Sequence, residues 1–106
     1  MESKEALDLK QFENKIKSGV TLVDFNAPWC APCRVMEPVL KQLTENFIGK
    51  AQVFELNVDE NQQLAMHLDI MSIPTLIIFR QGQEVKRFIG IQPVEALSEV
   101  IENALF

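Results

Sequence analysis

Thr21-Leu22-Val23-Asp24-Phe25-Asn26-Ala27-Pro28-Trp29-Cys30-Ala31-Pro32-Cys33 decides the reading of this chain. Its first half is a short run, rich in β-branched and aromatic residues, that reads as a central strand over Thr21 to Asn26. Its second half holds both cysteines of the 106-residue sequence, three positions apart. Beyond Cys33, the positions Val35, Met36, Val39, Leu40, Leu43 and Phe47 form a helical stripe that Pro38 is expected to kink and Gly49 to end. The pair therefore lies where a strand turns into a helix. At the start of a helix, residues i and i+3 sit on neighbouring positions of one turn, so a disulfide can close between Cys30 and Cys33 without moving the fold. A sulfur at the first helical position or its cap faces unsatisfied backbone N–H groups, whose field favours thiolate over thiol. The thiolate attacks disulfides, which makes Cys30 the expected nucleophile. Cys33, one turn deeper and further from water, is expected to stay protonated until it resolves the mixed disulfide. Pro32 removes a donor that has no intrahelical partner anyway and stiffens the loop. Trp29 can shield the sulfur.

Working outward, Leu9, Phe12 and Ile16 recur at helical spacing after Asp8, a candidate N-cap, in a helix expected to end at Ser18-Gly19. Ala51 to Val58 reads as a second strand. Asp59 is expected to cap a helix carrying Leu64, Ala65 and Leu68, and Thr75 to Phe79 reads as a third strand. Arg80-Gln81-Gly82-Gln83 is a turn into Val85 to Ile89, so the last two strands should form an antiparallel hairpin. From Pro93 at its first turn, Val94, Leu97, Val100, Ile101, Ala104 and Leu105 mark an amphipathic helix. The expected class is α/β: a mixed four- to five-stranded sheet with helices on both faces and a terminal hairpin plus helix.

Composition narrows the function. Hydrophobic residues make up 47% of the chain, enough for a buried core, so residues 1–106 are expected to form one domain rather than a disulfide-stapled miniprotein. A structural bridge over three residues would close almost no loop and stabilise little. Fifteen acidic against ten basic residues, a net charge of −5, disfavour nucleic-acid binding, and no run is long and apolar enough for a membrane span. Met1-Glu2-Ser3-Lys4-Glu5 lacks the basic flank and apolar run of a signal peptide, which points to a cytoplasmic, reducing setting.

Val23-Asp24-Phe25 ahead of Trp29-Cys30-Ala31-Pro32-Cys33, followed by Pro38, Ile73-Pro74-Thr75, Gly82 and Gly90, resembles the thioredoxin family over nearly the whole chain. A lone Cys-x-x-Cys is also half a zinc site, whereas this joint occurrence is specific. The resemblance implies a thioredoxin fold and protein disulfide reductase activity. Cys30 would be the attacking thiolate and Cys33 the resolving thiol. It also implies that Asp24 lies behind Cys33 and accepts its proton; a carboxyl on an apolar strand is costly to bury ionised, and the competing reading is a carboxyl kept for hydrogen bonding alone. The Ile73–Pro74 bond would be cis against the disulfide, with Ile73 pairing to an extended substrate. Trp29, Pro32, Ile73, Pro74 and Gly90 would border an apolar contact area, although Gly90 also suits a turn after the last strand. A thioredoxin reductase-type electron donor, disulfide-containing client proteins, no cofactor, no metal and a monomer are the further implications.

Several positions depart from the family pattern. Ala31-Pro32 stands where Gly-Pro is commonest, Asn26 where many members carry a second tryptophan, and Pro28 where a charge is frequent, changes expected to alter redox potential and partner choice. Glu55 stands where a lysine is common, and an anion there would hold a proton on Asp24 more firmly if the two side chains meet. His67 at a helix end reads as a surface residue, and Met36, Met66 and Met71 as core or rim packing. Arg34 either adds positive potential beside the cysteines or is simply an exposed helix cation. Two other classes stay open: an oxidant or isomerase of the same fold, and a binding module, including a dimer sharing a metal or iron–sulfur cluster through Cys-x-x-Cys pairs.

Overall fold

The computed structural model describes residues 6–106; the segment Met1 to Glu5, used above for the expectation about targeting, lies outside the described residues. Eight elements follow one another along the described residues. They are α1 (Leu9–Ile16), β1 (Val20–Asn26), α2 (Ala31–Asn46), β2 (Ala51–Asn57), α3 (Gln62–His67), β3 (Thr75–Arg80), β4 (Gln83–Ile89) and α4 (Val94–Ala104). Among the described residues, four strands form one sheet in the order β2-β1-β3-β4, within the expected four to five. β1 pairs parallel with β2 and antiparallel with β3, and β3 pairs antiparallel with β4 through a register shift at Ile78/Phe79. Gln81 and Gly82 take positive φ values of 52° and 80° at the turn, and the glycine adopts that conformation without steric cost.

Every residue of β1 is buried, as a strand covered on both faces requires. Alternation then divides its side chains. Val20 and Leu22 join Val53, Leu76 and Ile78 beneath Met36, Leu40 and Leu43 of α2 and Leu97 and Ile101 of α4. Val23 and Phe25 join Phe54, Leu56, Ile77 and Phe79 against Phe12 and Ile16 of α1 and Leu64 of α3. Burying each such side chain contributes about 1.5–3 kcal/mol, so the two layers on either side of β1 hold the sheet in place.

Some local expectations need correction. Asp8 caps α1 through a reciprocal capping box with Gln11, as its position suggested. Asp59 does not cap α3: the helix begins later, at Gln62, with Asn61 at the cap and no side-chain cap bond. Asn61 is drawn away to donate to Asn57 O and accept from Leu7 N. α3 is also shorter than expected, with Leu68 just past its end. Pro93 is the cap of α4 rather than a first-turn residue. Pro38 sits inside α2, which continues to Asn46.

Candidate active site

β1 ends at Asn26, and a short loop later the chain enters α2 with Cys30 as the N-cap. Cys30 has extended backbone torsions of −90° and 109°, and its Sγ accepts a hydrogen bond from Cys33 N at 3.2 Å. A sulfur thus occupies the place usually taken by a serine or aspartate oxygen at a helix start. Cys30 and Cys33 are disulfide-bonded, with Cα atoms 5.3 Å apart, within the range such a bond needs. The expected difference in burial is absent, since each cysteine is 4% exposed. What separates them is the cap bond, which runs to Cys30 Sγ alone.

Ala27, Val58 and Ile73 pack around the two cysteines. The Ile73–Pro74 bond is cis, as the resemblance implied. Gly90 N donates to Pro74 O at 2.9 Å, tying the end of β4 to this loop, and Gly90 has φ 88°. Trp29 is 68% exposed and lines a shallow groove with Val58, Ile70, Met71, Ser72 and Ile73. Pro32 is exposed on the first turn of α2. Arg34 is exposed, and its guanidinium donates to Pro28 O at 2.8 Å, clasping the loop before the cysteines. Among the methionines, Met36 is core, with Sδ accepting from Gln92 N, whereas Met66 and Met71 are exposed. His67 is exposed at the end of α3.

Asp24 is fully buried on β1, with Glu55 directly opposite on β2. Asn26, two residues on and so on the same face, donates from Nδ2 to Asp24 Oδ2 at 2.9 Å and to Glu55 Oε1 at 2.8 Å. The two acids therefore meet through an amide. Asn26 is 3% exposed and faces inward, so it touches the acids and does not present itself to partners as expected. Sequence reading also missed Asp59, whose Oδ2 accepts from Trp29 Nε1 at 2.9 Å. The contact follows from the strand pairing: Asn26 pairs with Asn57 at the ends of two parallel strands, so the segments leaving them emerge side by side.

A disulfide-bonded Cys-x-x-Cys whose first sulfur caps a helix beside an apolar groove defines a dithiol–disulfide oxidoreductase. Comparison with known proteins agrees. The family model described as Thioredoxin matches residues 3–103. Thioredoxin of Staphylococcus aureus is 49% identical over 94 residues, covering 89% of this chain and 90% of the relative. Among solved structures, a mutant thioredoxin from Halobacterium salinarum superposes with a TM-score of 0.86 at 34% identity, covering 95% of this chain and 88% of that one. The thioredoxin of Malassezia sympodialis gives 0.83 at 28% identity, covering 93% and 89%. The chain belongs to the thioredoxin family, and its activity is dithiol–disulfide exchange.

Proposed function

We propose that the chain, as a single domain over residues 1–106, reduces disulfides of client proteins in the cytoplasm and is itself re-reduced by a thioredoxin reductase-type donor. Cys30 is the nucleophile in this reading, and the observation that carries it is the hydrogen bond from Cys33 N to Cys30 Sγ at the N-terminus of α2. A negative sulfur there is favoured both by the N–H and by the helix field. Attack on a client disulfide breaks the client S–S bond, forms a Cys30–client bond and releases one client thiolate. Cys33 then attacks Cys30 Sγ, closing the intramolecular disulfide and expelling the second client sulfur, so two electrons pass to the client.

Asp24 accepts the proton that Cys33 loses in that second step. Burial on the face of the sheet covered by α2, whose first turn carries Cys33, supports the role. Trp29, Pro32, Ile73, Pro74 and Gly90 form the client-contact area, with Ile73 offering its backbone to an extended segment. The chain acts as a monomer with no metal or cofactor besides the cysteine pair.

The test pairs two variants with a potential. Cys30→Ser abolishes insulin disulfide reduction, whereas Cys33→Ser accumulates a mixed disulfide with the client; the reverse pattern overturns the assignment. Equilibration in thiol–disulfide buffers, read by Trp29 fluorescence, should give about −270 mV, the figure known for thioredoxin itself. A value near −120 mV, that of a dedicated oxidant, replaces the reductase reading with an oxidant one.

A further inference from the structure

Asp24 and Glu55 are the only ionisable side chains, apart from the two cysteines, that are buried among the described residues. Two carboxyls on facing positions of adjacent strands are unfavourable as two anions, because like charges repel strongly in a medium of low polarity. The Asn26 amide stands between them, giving one Nδ2 to both, at 2.9 and 2.8 Å. Its own Oδ1 is buried without a hydrogen-bond partner among the described residues. An unmatched buried acceptor costs about 1–3 kcal/mol, so the orientation of the amide is set by what its donor side holds. Rotating it would turn an oxygen towards two acids.

The face on which this occurs is the one covered by α2. Val20 and Leu22, earlier on the same face of β1, pack under α2 and α4; Asp24 and Asn26 continue that row towards the end of the strand that leads into the cysteines. From α2 the buried titratable group is Cys33, while Arg34, Glu37, Lys41 and Glu45 are exposed. β3 places Leu76 beside Asp24, and its charged residue, Arg80, is exposed. α4 contributes Leu97 and Ile101 to this layer, with Glu95, Glu99 and Glu102 exposed. Glu55 from β2 is thus a charge that bears on Asp24, and Asn26 joins the two.

We propose that Asn26 is a positioning residue for the resolving step: its amide holds the Asp24 carboxyl against the charge of Glu55, and this pairing sets how readily Asp24 takes the proton of Cys33. The inference rests on the reading of Asp24 as proton acceptor. In the step, the Cys33 S–H proton passes to an Asp24 oxygen as Cys33 Sγ bonds to Cys30 Sγ. The Cys30–client bond breaks, and the client sulfur leaves with the electron pair. The two neighbours act with opposite signs. The charge of Glu55 strengthens the hold of Asp24 on a proton, and the Asn26 N–H weakens it by bonding the ionised form.

Reduced protein mixed with an aromatic nitrobenzoate disulfide releases one coloured thiolate when Cys30 attacks and a second when Cys33 resolves, so the second phase reads this step alone. Its acid limb is followed against pH in the full chain and in the Glu55→Gln, Asn26→Leu and Asp24→Asn variants. Glu55→Gln should move the limb to lower pH by about one unit, and Asn26→Leu should move it to higher pH. Both movements should vanish in the Asp24→Asn background. A purely structural role predicts slower rates with the midpoint in place. If Asp24→Asn removes the limb but Glu55→Gln and Asn26→Leu leave its midpoint unmoved, the pairing falls and the role of Asp24 stands. If Asp24→Asn changes neither rate nor limb, the proton-acceptor reading falls and takes the pairing with it. Movements that persist without the Asp24 carboxyl also overturn the proposal. Should Asn26→Leu fail to fold, Asn26→Ala, which also removes the amide, is read in its place, and a midpoint that stays where it is overturns the proposal.

Discussion

The two faces of the sheet are written in alternate residues of the same strands, yet they end differently. On the face under α1 and α3, Val23 and Phe25 of β1 meet Phe54, Leu56, Ile77 and Phe79, and Phe12 packs on Phe25 and Phe79 at ring separations of 6.3 and 5.6 Å. No ionisable side chain is buried in that layer among the described residues. The face under α2 and α4 begins in the same way with Val20 and Leu22 and then turns polar at Asp24 and Asn26, answered by Glu55 and Asn57 across the ladder. One face serves stability along its whole length. The other gives up apolar contact towards the end of the strand that leads to the cysteines, where an amide joins two buried carboxyls.

The sharpest way to break this division is on the aromatic side. Phe54→Ala empties a site that is 1% exposed and should lower unfolding free energy by about 3–5 kcal/mol, measured by denaturant titration. The redox potential of the Cys30/Cys33 couple should not move, because Phe54 lies on the opposite face; a potential shift of tens of millivolts would show that the faces are coupled. A second variant sharpens the polar end. Asp59→Ala removes the acceptor of the Trp29 indole and should raise KM for a protein client roughly two- to fivefold, the worth of one hydrogen bond that orders an exposed ring.

The smallest effect lies at the edge strand, away from both faces. A hydrogen bond from Arg87 holds the Glu84 carboxyl below its ordinary value of 4.5, aided by the Arg87 charge and opposed by partial burial. Because the folded carboxyl titrates lower than the unfolded one, the bond stabilises in full above about 4.5 and its contribution fades as pH falls through the folded value. Both side chains are partly solvated, so Glu84→Gln should cost only a few tenths of a kcal/mol at neutral pH and nothing in acid. A larger loss would mean that Arg87, which also donates to Leu68 O and Asp69 O, relies on Glu84 to hold the loop before β3.

Much of this was legible in the residues themselves. The run from Thr21 to Cys33 marked a strand, a turn and a helix start, and the period-two and helical patterns placed every other element to within a few residues. What failed depended on neighbours distant in sequence. Asp59 resembled a cap because an acid precedes a helical stripe, but it lies beside Trp29 once β1 and β2 run in parallel. The equal burial of the two cysteines was invisible because Val58 and Ile73, from separate segments, pack against the cluster that holds them. Glu55 was flagged as a neighbour of Asp24, whereas the amide joining them required the strand register, which places Asp24 opposite Glu55 and puts Asn26 on their face.

That register gives Asp24 a part in folding fidelity. Successive β1 side chains point to opposite faces, so a slip of one residue against β2 and β3 would drive the carboxyl into the layer of Phe12, Phe54 and Phe79, away from Glu55. Stranding a carboxyl in an aromatic layer costs several kcal/mol, far more than a misplaced valine. A single acid in an otherwise apolar stretch of strand therefore penalises the neighbouring misalignment, and the chain proofreads its own central strand with the group proposed above to take the proton of Cys33.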